Sequence, residues 1–436
     1  MSQKEYHFFM FQPTRLSLFL LLPFWMSGAE VRQPEGRMFE AVQNGDQRTV
    51  LALLKAGVNV NAARPDGSTP LSWAVSRDNV EITTALLQGG ANPNAADENG
   101  ETPLTLACAQ GNLAIARLLL NAKASSAATR WSGETPLHGA VHAGNLELVR
   151  LLLEGGAAAS PRETRMEQTP LMWAAAAGHA GITELLLAKG ADPNARSKSG
   201  FTPLLFAAQK GDLATVKLLV AAKADPLMKS KDGAAPFALA LARGHEAAAR
   251  YLLDFGAEVN LPDASGNTPV HTAVRLGKLD LVRDLVARGA DLKAKTTRSG
   301  AQRGPFRSFG FTAFLIAAEA GDVAMMRELV KLGADPKAKS SDGAGGVLLA
   351  AQSRKLDAVK LMVELGGDVN EERPGGGTAL HIATRFGDNT MIQYLVDHGG
   401  DLNKKDRFGR DVLGEAEFEA PKPTIEFVRK LVQNKQ

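Results

Sequence analysis

The sequence predicts an all-α fold, a solenoid of stacked helix-turn-helix units. Three columns of residues that recur with one period predict it. The first column is a Thr-Pro step or a variant of it, which returns every 33 residues apart from one step of 34 and one of 44. Its positions are Thr69, Thr102, Thr135, Thr169, Thr202, Ala235, Thr268, Thr312, Gly345, Thr378 and Asp411. A period of this length indicates supersecondary units that stack on one another.

The second and third columns predict a second helix in each unit and the point where it ends. An apolar pair recurs in step with the first column and begins at Leu53, Leu86, Leu119, Leu152, Leu186, Leu219, Leu252, Leu285, Leu329, Met362 and Leu395. A glycine, favoured where a left-handed residue ends a helix, follows at Gly57, Gly90, Gly156, Gly190, Gly256, Gly289, Gly333, Gly366 and Gly399. Lys123 and Lys223 replace it in two units, where we expect roughly 1 kcal/mol of backbone strain.

The unit from Phe201 to Gly233 shows how the columns specify two helices. Thr202-Pro203 predicts the start of the first helix, because proline is tolerated in the first turn. Gly211-Asp212 ends that helix, and the apolar stripe within Val216–Val220 predicts a second helix that needs a partner surface. The residues Lys231-Asp232-Gly233 then favour a turn. Since one unit cannot bury both helices alone, stacking must stabilise it.

The two ends of the repeat run depart from the pattern. Residues 35–68 keep the second helix and its glycine but lack the Thr-Pro step, whereas residues 69–410 hold ten repeats. Residues 411–436 lose the Thr-Pro step again. Terminal units of a stack need a polar outer face, so we interpret both ends as degenerate capping units.

The first residues are typical of an export signal. Lys4 and Arg15 precede the apolar run Leu16–Met26, and small residues up to Ala29 suit cleavage there. The sequence therefore predicts a signal peptide over residues 1–29 and a periplasmic or secreted protein. A retained membrane anchor is the alternative, although the run is about half of the roughly 20 residues that a spanning helix needs.

Composition indicates a soluble protein with a core of its own. Of 436 residues, 44% are hydrophobic and 22% charged, which is too apolar for a disordered chain. A net charge of +3 is nearly neutral at this length, so charge predicts neither a nucleic-acid nor a membrane partner. The lone cysteine, Cys108, lies among small apolar residues, and we interpret it as a buried structural thiol rather than a nucleophile.

The repeated unit resembles the ankyrin repeat, whose signature is Thr-Pro-Leu-His-x-Ala. The match is closest at Glu134–Ala140 and Asn267–Ala273, and the resemblance extends from about residue 35 to the end. It implies two antiparallel helices and a projecting β-hairpin loop per unit, and a curved superhelix of such units. It also implies that a protein partner binds the concave surface formed by the hairpins and first helices.

Catalytic chemistry finds little support in the sequence. Nearly every residue after the signal belongs to a helix, a loop or a cap, and no metalloprotease, serine-elbow or phosphate-loop motif is present. His138 and His142 are one helical turn apart, the spacing of two metal ligands. His138 has the signature position, which by the resemblance implies a structural hydrogen bond to the loop, as for His271 and His381. We therefore expect no catalytic residues, no metal or other cofactor and no small-molecule substrate.

The hairpin tips are the best candidates for partner contacts, because they are exposed and free of packing constraints. Arg130 and Trp131 fall at a tip, and an exposed tryptophan beside an arginine is typical of a binding hot spot. The alternative is that Trp131 packs against the adjacent hairpin.

A basic column runs along the later hairpins and could attract an acidic partner. It comprises Arg196, Lys229, Lys295, Lys339 and Lys405, flanked by Lys198, Lys231, Lys293, Lys337, Lys404 and Arg407. Arg196, Lys198, Lys229, Lys231 and the neighbouring Phe201 are our candidates among them. The alternative is a solvated edge. Interrupting carboxylates, such as Glu371 and Glu372, argue against a nucleic-acid track.

One insertion of about eleven residues, near residues 296–309, breaks the period. Insertions in repeat proteins extend loops, often on the binding face. This insertion contains cationic and aromatic side chains but too few apolar residues to form a core of its own. The candidate contact residues are Arg298, Arg303, Phe306 and Arg307. We predict a partner-binding or flexible loop, and a neutral insertion is the alternative.

These observations predict an exported, non-enzymatic scaffold that binds a protein partner. A secreted effector that acts on another cell is the alternative, since the repeats resemble eukaryotic binding modules. A metal-dependent enzyme rests on the His138–His142 pair alone.

Overall fold

A computed structural model of the chain describes residues 34–263, 265–297, 310–372 and 376–435. These residues form 24 α-helices in twelve consecutive pairs, as an all-α solenoid of stacked helix pairs requires. The chain divides into two compact units, of which the first ends at Pro170 and the second begins at Leu171. The division falls inside the predicted run of ten repeats, directly after the Thr169-Pro170 step. The predicted signal, residues 1–29, lies outside the described residues.

The first unit contains four complete helix pairs. Its helices are α1 (Pro34–Gln43), α2 (Gln47–Lys55), α3 (Pro70–Ser76), α4 (Val80–Gln88), α5 (Pro103–Ala109), α6 (Leu113–Asn121), α7 (Pro136–His142) and α8 (Leu146–Glu154). First helices of successive pairs pack on one another, as do second helices. Gly139 of α7 approaches α5 so closely that a Cβ atom there would lie 3.0 Å from the Ala109 nitrogen.

The second unit repeats the same arrangement in eight pairs, the first of which begins at the boundary. Its helices are α9 (Pro170–Ala177), α10 (Ala180–Ala188), α11 (Pro203–Lys210), α12 (Leu213–Ala221), α13 (Pro236–Ala242), α14 (Glu246–Leu253), α15 (Pro269–Arg275), α16 (Leu279–Ala287), α17 (Ala313–Ala320), α18 (Val323–Lys331), α19 (Gly346–Gln352), α20 (Leu356–Glu364), α21 (Ala379–Arg385), α22 (Asn389–Asp397), α23 (Val412–Glu419) and α24 (Lys422–Lys435). No helix of the described ranges combines the length and apolarity that crossing a bilayer would require.

Side-chain caps fix where the helices begin. In α3, Thr69 Oγ1 accepts from the Ser72 N–H at 3.2 Å, and Ser72 Oγ accepts from the Thr69 N–H at 2.9 Å, which completes a capping box. Most second helices begin after a residue whose side chain accepts from the backbone three positions on, namely Asp46, Asn79, Asn112, Asn145, Asp212, Asp322 and Asp388.

The glycine column ends the second helices as the sequence predicts. All nine glycines have φ between 74° and 96°. Lys123 and Lys223 adopt the same left-handed backbone, with φ of 68° and 67°. The two exits are therefore not rebuilt, and both lysines carry the strain expected of a side chain in this conformation.

The first residue of every apolar pair lies in the core. Each of these eleven side chains is buried, from Leu53 in α2 to Leu395 in α22. They pack beneath the small residues of the first helices, such as Ala140 and Ala207. Burial of these stripes between neighbouring pairs supplies the main stabilisation of a stack that no single pair could achieve.

The described loops between pairs reverse the chain through tight turns with almost no strand. Within the described residues the only bridge of β type joins Gly376 to Asp406, and no regular strand forms. Each turn is closed by its own backbone hydrogen bonds, such as the one from the Asp97 N–H to the Glu101 oxygen at 3.1 Å. Backbone hydrogen bonds across single turns take the place of strands.

Candidate functional site

The loop tips share one hydrogen-bond pattern that holds each turn rigid. In the loop before α7, the Arg130 N–H donates to the Glu134 oxygen at 3.0 Å, and the Gly133 N–H donates to the Arg130 oxygen at 2.8 Å. In other loops a side chain at the position of Arg130 also accepts from the turn. Asp97, for example, accepts from the Asn99 and Glu101 N–H groups. Such turns present their tip residues in a fixed geometry.

Neighbouring tips of the first unit are bonded to one another. The Glu98 N–H donates to the Asp66 oxygen at 3.0 Å, and the Trp131 N–H donates to the Asn99 oxygen at 2.9 Å. A third bond joins the Thr164 N–H to the Ser132 oxygen at 2.8 Å. The tips of these four loops therefore form one connected edge, which we call the tip edge of the first unit.

Trp131 projects from this tip edge into solvent. Its side chain is 78% exposed, the largest exposure among the large hydrophobic residues that the structure describes as exposed. The indole therefore does not pack into the adjacent loop, and the site offers a large apolar surface on a rigid backbone. Rings of this kind are typical anchors of protein interfaces.

Arg130 lies beside Trp131 at the tip, but its side chain is paired within the chain. Its guanidinium pairs with Glu101 of the preceding loop and, at 3.3 Å, with Glu134 of its own loop. The side chain is mostly covered, so Arg130 braces the turn and is not a free contact beside Trp131. The sequence could not show this, because Arg130 and Glu101 meet only when two loops lie in register.

The basic candidates of the second unit are divided in the same way. Arg196 Nη2 donates to the Lys229 oxygen at 2.8 Å, and Lys229 Nζ lies 2.6 Å from Glu258 Oε2. Phe201 packs against Phe206, with ring centroids 5.2 Å apart. These three residues thus contact other residues of the chain, whereas Lys198 and Lys231 are exposed at the tips.

Carboxylates pair with later members of the basic column. Lys339 Nζ lies 3.1 Å from Glu371 Oε1, and Lys404 pairs with Glu372. Glu371 is buried, and burial raises the pKa of its carboxyl group, while Lys339 and the Gly345 N–H oppose that shift. The column is therefore a mixed-charge edge at these loops, which favours the interpretation of a solvated surface over a continuous cationic stripe.

The insertion is attached at a loop tip. The Thr296 N–H donates to the Phe311 oxygen at 3.0 Å, and the Phe311 N–H donates to Thr296 Oγ1 at 3.0 Å. These bonds close the turn as in the other loops, so the repeat register survives the added residues. Arg298, Arg303, Phe306 and Arg307 lie outside the described residues.

His138 and His142 lie in different environments, the first buried and the second exposed. His138 is fully buried, its Nδ1 accepts from the Thr135 N–H at 3.2 Å, and its Nε2 lies 3.4 Å from the Gln168 oxygen. His142 is exposed at the end of α7. Burial lowers the pKa of His138 to about 4, although the hydrogen bond to the Gln168 oxygen opposes this shift. Within the described ranges no cluster of His, Cys, Asp or Glu has the arrangement of a metal site.

Cys108 is buried in α5, where the sequence places a structural thiol. Burial raises the pKa of this thiol far above its usual range. The thiolate is the reactive form of cysteine, so Cys108 is inert as a nucleophile in the folded protein.

A further exposed aromatic group was not predicted from the sequence. Phe408, at the last loop tip, is 65% exposed, and Phe418 on α23 is 66% exposed. The Arg410 guanidinium lies 4.8 Å from the first ring and 4.3 Å from the second. Phe408 comes just before the turn glycine Gly409, much as Trp131-Ser132 comes before Gly133. This place at a loop tip could have indicated from the sequence that Phe408 is exposed.

Comparison with known protein families identifies the repeated unit. A family model described as ankyrin repeats (3 copies) matches residues 38–129, 125–197, 199–296, 314–406 and 347–434, which together span most of the chain. No curated protein sequence matches the chain.

Proposed function

We propose, since this chain belongs to the ankyrin-repeat family, that it is a non-enzymatic scaffold that binds a protein partner through its loop tips and first helices. The family supports the general role of a protein-interaction scaffold. One observation carries the assignment of a surface, namely the 78% exposure of Trp131 on a backbone held by hydrogen bonds on both sides. A ring that contributes nothing to the core and is held in place is suited to contact another molecule.

Partner capture tests this assignment. The purified chain is cross-linked to the proteins of its own cellular compartment, and the bound proteins are identified for the wild type and for Trp131→Ala. We expect Trp131→Ala to lose a specific partner, while its circular dichroism and melting temperature stay unchanged. Ser132→Ala, on the same tip, is the matched control and retains the partner. If Trp131→Ala retains every partner, Trp131 is not part of the binding surface.

The insertion is a second proposed contact on a tip. Deletion of residues 298–308 keeps Thr296 and Phe311, whose hydrogen bonds close the turn. We therefore expect the shortened protein to fold and melt as the wild type does, and to capture less partner. Unchanged capture by a folded deletion variant would favour a neutral insertion.

The exposed Lys198 and Lys231 are weaker candidates, because their neighbours Arg196 and Lys229 are engaged within the chain. If an acidic partner binds there, a double replacement of Lys198 and Lys231 by glutamate lowers capture, and the effect shrinks as salt rises.

We also propose that the chain is exported by residues 1–29, from the composition of that segment. N-terminal sequencing of the mature protein should begin after Ala29, and cell fractionation should place it in the periplasm or the medium. Recovery in the medium or inside a second cell would favour the effector role. A full-length protein that stays in the membrane fraction would identify the segment as a retained anchor.

A further inference from the structure

Exposed aromatic rings of this protein are commonly covered by its own guanidinium groups. Arg354 lies 5.0 Å from the Phe386 ring, and Arg410 lies against the rings of Phe408 and Phe418. Cations lie over such rings because the ring face carries partial negative charge. Among the described residues, no cation of the chain lies over the more exposed ring of Trp131.

Trp131 also stands on an acidic stretch of the tip edge. Between residues 97 and 134 the loops contribute the carboxylates of Asp97, Glu98, Glu101 and Glu134 against the cations Lys123 and Arg130, while the exposed Arg162 and Arg165 belong to the following loop. Arg130 pairs with Glu101 and Glu134, so its single charge cannot neutralise both. Glu98 is exposed, and it has on the preceding tip the position that Trp131 has on its own. The side of the indole toward the preceding tip thus carries an excess of negative charge.

We propose that this surface binds an arginine- or lysine-bearing segment of the protein partner, whose cation lies over the Trp131 indole and is attracted by Glu98. The indole face and a nearby carboxylate favour the same ligand charge, and an acidic partner would be repelled. This inference rests on the proposed function, since it gives the chemistry of the partner at the same tip edge.

The test uses a Gly-Arg repeat peptide as the probe and the same peptide with citrulline for arginine as its uncharged counterpart. The full chain is labelled with fluorotryptophan, and Trp131→Phe identifies the fluorine resonance of Trp131. Trp73 and Trp173 serve as internal references. We expect the arginine peptide to shift the Trp131 resonance saturably, and to bind roughly threefold to fivefold more tightly than the citrulline peptide, from the strength of an exposed cation–aromatic contact.

Charge variants complete the test. Glu98→Gln should weaken binding of the arginine peptide several-fold without affecting the citrulline peptide, and Phe408→Ala, at a ring already covered by arginine, should change neither. Equal binding of the two peptides, or full affinity in Glu98→Gln, would overturn the proposal. Partner capture remains a separate readout. If Trp131→Ala loses a partner while both peptides bind equally, the scaffold function stands and the cationic ligand is wrong.

Discussion

At the scale of single residues, burial explains why the signature histidines are structural. His138 and His271 each join the start of a first helix to the carbonyl of the following loop, at Gln168 and Ala294 respectively. Burial lowers the pKa of both imidazoles, because a charged ring would lose its hydration. The same residues that complete a capping box therefore respond to acid.

Acid should weaken the fold through His138. Its folded pKa of about 4 lies below the ordinary 6.5, so the unfolded chain binds a proton that the folded chain does not between these values. Its stabilising contribution is complete above pH 6.5 and is lost as the pH falls through 4. We expect the free energy of unfolding to fall by about 2 kcal/mol from this residue between neutral pH and about pH 5. Urea titrations at both pH values measure it.

The matched variant for this prediction is His138→Gln, which keeps a polar cap and does not titrate. Its loss of stability on acidification should be smaller than that of the wild type by roughly the contribution of one histidine. An identical pH dependence in both proteins would show that the buried ring does not titrate as described.

The two lysines with a left-handed backbone conformation, Lys123 and Lys223, also lower the stability of the fold. Lys123→Gly and Lys223→Gly should each stabilise the protein by roughly 0.5–1 kcal/mol, because glycine adopts φ near 68° without strain. Lys189→Gly is the control, since Lys189 lies one residue before Gly190 and has φ of −93°. That change should destabilise the helix end. Denaturant midpoints of the three variants decide between strain and a general effect of losing lysine.

At the scale of elements, asparagines tie successive loops together. Asn94 Nδ2 donates to the Lys123 oxygen at 3.1 Å, and its Oδ1 accepts from the Ser125 N–H at 2.7 Å. The same pair of bonds recurs at Asn61, Asn194, Asn260 and Asn370. Each of these side chains spans from its own loop to the next helix end, so it stabilises the interface between two neighbouring pairs.

Replacement of one such bridging asparagine should lower the free energy of unfolding more than replacement of the equivalent asparagine in the last loop. Asn94→Ala loses two hydrogen bonds, and we expect a loss of about 1–2 kcal/mol in the free energy of unfolding. Asn403 has the equivalent position in the last loop and is exposed, so Asn403→Ala should change stability by less than about 0.5 kcal/mol. Equal effects of the two substitutions in thermal melts would contradict the bridging role.

At the scale of the whole molecule, the parts that the sequence predicts are those set by local residues. Thr69 with Pro70 begins the first helix of a pair, Leu86 is buried in the second helix and Gly90 follows its end, and repetition of this short code specifies pair after pair. The division into two compact units at Pro170 was not predicted, because the Thr-Pro step there is like those of the other units.

The site was predictable only in part, for a related reason. Exposure of Trp131 follows from its place at a tip, but pairing of Arg130 with Glu101 depends on the register of two loops. The arginine-backed rings of Phe408 and Phe418 likewise join a loop tip to the following helix. Contacts between neighbouring turns decide which charges remain available, and a single sequence does not display them.

Site-specific photo-cross-linking tests the central claim most directly, namely that a protein binds at the loop tips. Benzoylphenylalanine is placed at position 131 and, in a second chain, at position 114, where Ala114 is exposed on α6 away from the loops. Irradiation in the producing cell should give a discrete protein adduct from position 131 and none from position 114. Adducts from position 114 alone, or none from position 131 while the same partner is captured by other means, would contradict the claim.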